Sequence, residues 1–182
     1  MKVVGLAVVF DGDIESQGYR GDFTPILYAT FDGKHETVYT DLEFIPRLSR
    51  CEQKSLAEFD SNGVFVAHNL PKDFIGDNTT DLLRLTQTAS AEVLQNEGKR
   101  YALADLCRWN KVRGFHQEIA TAIKKYTAYR KGDHHKIARW SLEEAKRCQE
   151  LFVVVRKRGR IRFVDANTGK LAFAELDFTE EE

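Results

Sequence analysis

A chain of 182 residues, 42% apolar and 30% charged, is long enough to bury one sizeable core and has the composition of an ordinary globular domain. It holds no 18-residue apolar run and no basic-then-apolar leader, so neither a membrane span nor a signal peptide is expected. Cys51, Cys107 and Cys148 make no CxxC or Cys/His metal pattern and fit free, mostly buried thiols in a reducing, cytoplasmic compartment. The net charge of −1 conceals a split. Positions 124–162 are rich in Lys and Arg, whereas the end of the chain, about 176–182, is an acidic tail closing in Glu180-Glu181-Glu182. Cations gathered in this way are either the solvated faces of helices or, where they cluster in space, a footprint for phosphate.

Val3–Phe10 is a Val-rich apolar run, the pattern of a strand buried on both faces. Positions 25–31 read as a second strand, Asp32-Gly33 as a hairpin turn and positions 36–40 as a third strand. Asp41 then reads as the N-cap of a helix with Leu42, Ile45 and Leu48 on one side. A fourth strand is predicted over 64–67, and Thr79-Thr80-Asp81 leads into a short strand or helix start at 82–86. Leu103, Leu106 and Cys107 have helical spacing, a further helix covers 117–129, and a long one covers 136–155. The packed side of that last helix carries Ile137, Trp140, Ala145, Cys148 and Phe152. Two short strands, 160–164 and 171–174, flank Asp165-Ala166-Asn167-Thr168-Gly169 as a closing β-hairpin. Strands first and helices later, without repeats or linkers, predict a single α/β domain with a mixed sheet flanked by helices.

The chemistry lies where apolar strands run out into acids. Ala67-His68-Asn69-Leu70-Pro71-Lys72-Asp73 directly follows Val64-Phe65-Val66, and Asp11-Gly12-Asp13-Ile14-Glu15-Ser16 follows the first strand. If that strand continued, alternation would project Asp11, Asp13 and Glu15 from one face, while a bulge at Gly12 would re-aim one of them. Like charges held together repel unless a cation neutralises them or one takes up a proton. Paired carboxylates at strand ends are what metal-assisted phosphoryl transfer requires.

Asp13-Ile14-Glu15-Ser16 resembles the first motif of the DEDD (ribonuclease-H-like) exonucleases, Asp-x-Glu-Thr. Phe65-Val66-Ala67-His68-Asn69-Leu70-Pro71-Lys72-Asp73 is similar to their second motif, with an Asn four residues before the Asp. Thr80-Asp81-Leu82-Leu83-Arg84-Leu85 and Tyr101-Ala102-Leu103-Ala104-Asp105-Leu106-Cys107 match the usual continuation. Trp140-Ser141-Leu142-Glu143-Glu144-Ala145-Lys146-Arg147-Cys148 looks like the helix of the third motif. The resemblance spans about residues 3–170. It departs in two places: Glu144 stands where the family has Asp, and Trp140 and Arg139 stand where it has a Tyr or His that serves the attacking water. Indole offers no acceptor and guanidinium stays protonated, so neither replaces that group. His134 and His135 either substitute for it or form a solvated helix start. The first motif can also be aligned on Asp11-Gly12-Asp13.

The resemblance implies a ribonuclease-H-like fold over residues 1–182 and 3′–5′ exonuclease activity on single-stranded DNA or RNA. It implies two Mg²⁺ or Mn²⁺ ions about 4 Å apart, held by Asp13, Glu15, Asp73 and Glu144 as catalytic carboxylates, with Asp11 as a further ligand. Asn69 would steady the loop carrying Asp73, and His68, Asn69, Lys72 and Arg139 would meet the nucleic acid. The two departures favour an alternative, a catalytically weak or inactive module of the same fold used for nucleic-acid binding or assembly.

Overall fold

The computed structural model describes residues 2–11, 14–15, 18–19, 24–43, 48, 51–71, 74, 76, 78–94, 101–113, 119–176 and 178, with backbone alone for 14, 15, 18, 19 and 94. In chain order, β1 (Val4–Asp11) is followed by a two-stranded ribbon of β2 (Ile14–Glu15) and β3 (Gly18–Tyr19), then by β4 (Thr24–Phe31), β5 (Glu36–Tyr39) and β6 (Cys51–Lys54). Past a 3₁₀ turn at Leu56–Glu58 come β7 (Phe65–Ala67) and β8 (Thr79–Asp81). Helices α1 (Leu82–Leu94), α2 (Leu103–Trp109), α3 (Ala122–Arg130) and α4 (His134–Arg158) lead to a closing hairpin of β9 (Arg160–Val164) and β10 (Leu171–Glu175).

Six strands form one mixed sheet in the order β6-β5-β4-β1-β7-β8. Strand β1 pairs antiparallel with β4 and parallel with β7, and β7 pairs parallel with β8. The chain leaves β1 toward β4 and leaves β7 toward β8. These two adjacent parallel strands therefore end at the same edge of the sheet while their connections run to opposite sides, which opens a crevice between them.

Alternation along β1 divides the core. Leu6, Val8 and Phe10 pack with Phe65, Ala67 and Leu70 on one face. Ala7 and Val9 pack with Ala138, Leu142 and Ala145 of α4 on the other. The 25-residue α4 is started by Asp133, whose carboxylate accepts from the Lys136 amide, and ended by Gly159 in the left-handed region at φ 62. Its contact with β1 is so close that a Cβ on Gly5 would sit 1.9 Å from the carbonyl oxygen of Ala145.

Most expected elements are present, and the differences have local causes. Asp41–Glu43 forms a bend, and the Asp41 carboxylate accepts from the distant Leu56 amide at 2.9 Å, so it does not cap a helix there. The rest of the helix expected over 41–48 falls mainly on 44–47, outside the described residues. Edge strand β6 escapes the sequence pattern because Cys-Glu-Gln-Lys neither alternates nor favours strands, and such charged edges discourage further pairing. The helix expected over 117–129 begins at Ala122, capped by the Thr121 hydroxyl, and residues 117–118 lie outside the described residues. Strand β1 ends at Asp11 after a register shift at Val9/Phe10, and Glu15 belongs to a different sheet. The one-face alignment of Asp11 with Glu15 is thereby broken.

Gly5→Ala is expected to lower stability by at least about 1–3 kcal/mol, the usual cost of overpacking, because the obstruction is backbone and cannot rotate away. Chemical denaturation followed by circular dichroism measures it. A variant as stable as the native chain would mean that α4 does not approach β1 this closely.

Candidate functional site

A cavity of about 370 Å³ opens at the crevice beside β1 and β7. Val8 contributes from β1, His68-Asn69-Leu70 from the turn after β7, Glu144 from α4 and Lys125 from α3. Tyr101 and the residues after it, with those leading into the start of α3, close it. Strand β1, the turn after β7 and helix α4 thus meet at one place, brought there by the sheet order and by the approach of α4 that Gly5 permits.

The turn after β7 is held by a carboxylate that the motif comparison did not single out. Asp81, buried at the end of β8, accepts hydrogen bonds from the amides of Asn69 at 3.0 Å and Leu70 at 2.8 Å. The same side chain accepts from the amides of Leu83 at 2.8 Å and Arg84 at 3.4 Å, capping α1. Asn69 adopts φ 59, a left-handed conformation that Asn tolerates better than most residues. An Asp immediately before an apolar helical run is a readable N-cap signal. Its second pair of donors, eleven and twelve residues upstream, is not.

His68 donates from Nε2 to the Tyr101 carbonyl at 2.7 Å, since a carbonyl can only accept. Burial lowers the imidazole below its ordinary pKa of 6.5, against the opposing pull of that hydrogen bond and of the Glu144 and Asp81 carboxylates. The ring is therefore neutral at pH 7, with Nδ1 left as its acceptor.

Glu144 forms an ion pair with Lys125, and the two side chains are 15% and 4% exposed. Lys125 belongs to the basic stretch read as solvated faces or a phosphate footprint, yet it is buried. Nothing in the surrounding Ala-Ile-Lys-Lys sequence marks it as an interior residue. Arg147 is likewise turned inward, bonded to Glu143 at 2.7 Å and Glu150 at 2.6 Å. Attraction inside a protein is strong, but both ions have lost their water, so such a pair is costly to break and modest in net worth.

Asp11 stands exposed at the end of β1, and Arg139 is exposed on α4. Asp13, Lys72 and Asp73 lie outside the described residues, as does the side chain of Glu15. Trp140 packs against the cluster of Ala7, Val9 and Leu27, with the Lys136 ammonium 5.1 Å from its ring centroid. His134 and His135 open α4 directly after its cap.

A divalent ion needs several free oxygen or nitrogen donors converging on it. Among the described residues no group of three His, Cys, Asp or Glu does so, and the one acid in the cavity is already matched by an ammonium. The described residues alone assemble no such set, and Asp13, Asp73 and the side chain of Glu15 lie outside them. Nor does a thiolate supply a nucleophile, for burial pushes Cys107 up to about 12 and raises Cys148 well above its ordinary range.

Two outcomes follow from this geometry. Lys125→Met should destabilise the fold by about 3–5 kcal/mol, because Glu144 is left buried and uncompensated. Adding Glu144→Leu should recover most of that loss, and urea denaturation of the double-mutant cycle measures the coupling. Independent losses would mean that the two charges do not meet. For His68, the unfolded chain takes up a proton near 6.5 that the folded chain resists. The stability associated with neutral His68 is complete above about pH 6.5 and is lost as pH falls toward the lowered folded value. Melting temperature should therefore fall more steeply below about pH 6.5 in the native chain than in His68→Gln, whose amide keeps a donor for Tyr101. Parallel profiles would place the proton uptake elsewhere.

A scan against protein-family models and a search of the curated proteins find no significant match to this chain.

Proposed function

We propose that this chain is a ribonuclease-H-like domain on the plan of the DEDD 3′–5′ exonucleases, which holds the ends of single-stranded nucleic acid and hydrolyses them slowly or not at all. The observation that carries the reading is the cavity lined together by Val8 of β1, by His68 and Asn69 of the segment similar to the second motif, and by Glu144 of the segment similar to the third. Its place at the carboxyl ends of β1 and β7, where the strand order reverses, is where open α/β sheets bind their ligands.

The attenuation rests on the partner of Glu144. A divalent ion at this carboxylate has to displace a buried ammonium, which then loses its own counter-charge. Trp140, committed to packing, supplies no acceptor to orient water, a role worth roughly 10²–10⁴-fold in rate. Binding makes no such demand. It needs cations for phosphate, and Arg139 on α4 is exposed.

The test is incubation of the native chain with single-stranded oligonucleotides labelled at the 3′ or 5′ end, in Mg²⁺ or Mn²⁺. Retention of the oligonucleotide without release of 3′ label above background is expected. Rapid metal-dependent release that Asp73→Asn abolishes would overturn the attenuation and establish a working exonuclease. Failure to retain any oligonucleotide would remove the nucleic-acid reading altogether.

A further inference from the structure

A second concavity, of about 660 Å³, lies along α4 beside the turn that joins β4 to β5, which contributes Gly33. It shares no lining residue with the Lys125–Glu144 cavity. At about 100° per residue, Gln149, Val153 and Lys157 form a ridge that turns gradually away from Ala145, from the half-buried Gln149 to the exposed Val153 and Lys157. The opposite wall is the turn after α2, with Lys111, Val112 and Arg113.

Its charge is one-sided. Lys111, Arg113, Lys157 and Arg158 line it against a single acid, Glu150, and that acid is already bonded to Arg147 at 2.6 Å. Favourable interaction with the helix dipole accounts for cations in the last turn of α4. It does not account for Lys111 and Arg113, which belong to the opposite wall.

The walls are fixed in place. Asn110, fully buried, exchanges backbone–side-chain bonds with Arg162 of β9 in both directions at 2.9 Å, and its carbonyl accepts from Arg158 at 2.6 Å. Arg147 donates to the Arg113 carbonyl at 3.2 Å. Lys111 is held at φ 59, where Gly or Asn would be less strained.

From this we infer that the groove between α4 and the 111–113 turn binds the sugar–phosphate backbone of single-stranded nucleic acid, separately from the candidate site. The cations neutralise phosphates, and half-exposed Val153 gives apolar surface to the sugars and base edges. A trough bounded by one helix and one turn follows one strand. This inference rests on the nucleic-acid reading proposed above and names a surface for it.

Fluorescence anisotropy with a labelled thymidine oligonucleotide, run over a series of salt concentrations, tests it on the whole chain. Combining Lys111→Gly, Arg113→Ala and Lys157→Ala should weaken binding at least about tenfold and reduce the log–log salt slope by about 2, at roughly 0.7 per phosphate contact. A charge-matched control, Arg130→Ala with Lys131→Ala and Lys170→Ala, should bind nearly as the native chain does. Lys111→Gly alone should bind less tightly without melting earlier, which separates lost contacts from lost folding. Equal weakening by the two triple variants would overturn the groove and leave the nucleic-acid reading standing. No binding by the native chain would overturn both. Groove-dependent binding to phosphatidylserine vesicles, with none to oligonucleotide, would make the partner a lipid surface and overturn the assignment.

Discussion

Four backbone amides from two separated stretches of chain converge on the carboxylate of Asp81, and the shape of the candidate site depends on that convergence. A buried carboxylate is tolerable only when hydrogen bonds replace its water. Here Asn69 and Leu70 supply donors from the turn after β7, while Leu83 and Arg84 supply the otherwise unpaired donors of a helix start. One side chain thereby ends a strand, begins a helix and fixes the path by which the chain leaves the neighbouring strand. Each amide left without it would cost about 1–3 kcal/mol, so the turn has little freedom to be elsewhere. His68 enters the cavity from this turn, and its bond to Tyr101 ties the cavity's far wall to the same anchor.

Charge is handled differently inside and outside. Within the described part of the cavity the groups are a neutral imidazole and one ion pair, so no net charge needs a counter-ion. Arg147, against Glu143 and Glu150, repeats the arrangement beside α2. Both cations belong to the basic stretch of the sequence, and both serve the interior. What remains of that stretch outside is sorted by helix geometry, with Lys157 and Arg158 reaching the trough that Lys111 and Arg113 line from the other wall. A basic run in sequence is therefore two populations in space, distinguished by burial.

The sequence was legible where a local pattern decides the outcome. The Val-rich run became β1, the Asp32-Gly33 turn joined β4 to β5 with Gly33 at φ 92, and helical spacing of apolar residues located α2 and α4. It was not legible where a distant group decides. Asp41 resembled a helix cap but bonds Leu56, and Cys51–Lys54 became a strand because β5 offered a free edge. Lys125 looked like any surface lysine because its reason for burial, Glu144, lies on another helix. The same limit applied to the site. His68, Asn69 and Glu144 line one cavity, but the cation that pairs with Glu144 had no local pattern to mark it.

Lys125 also gives a physical reason for a glutamate at position 144. The depth of α4 against the sheet is set by the contact of Gly5 with Ala145, and its rotation is held by Arg147 bonding the carbonyl of Arg113. With depth and rotation fixed, the reach of a carboxylate at position 144 depends only on side-chain length. Glutamate extends one methylene beyond aspartate and meets the ammonium of Lys125. An aspartate there would draw the carboxylate back toward the helix and leave a buried lysine without its counter-charge. That costs more than the pair itself contributes. On this geometry Glu144 and Lys125 form one unit, in which the length of the acid is matched to an interior cation.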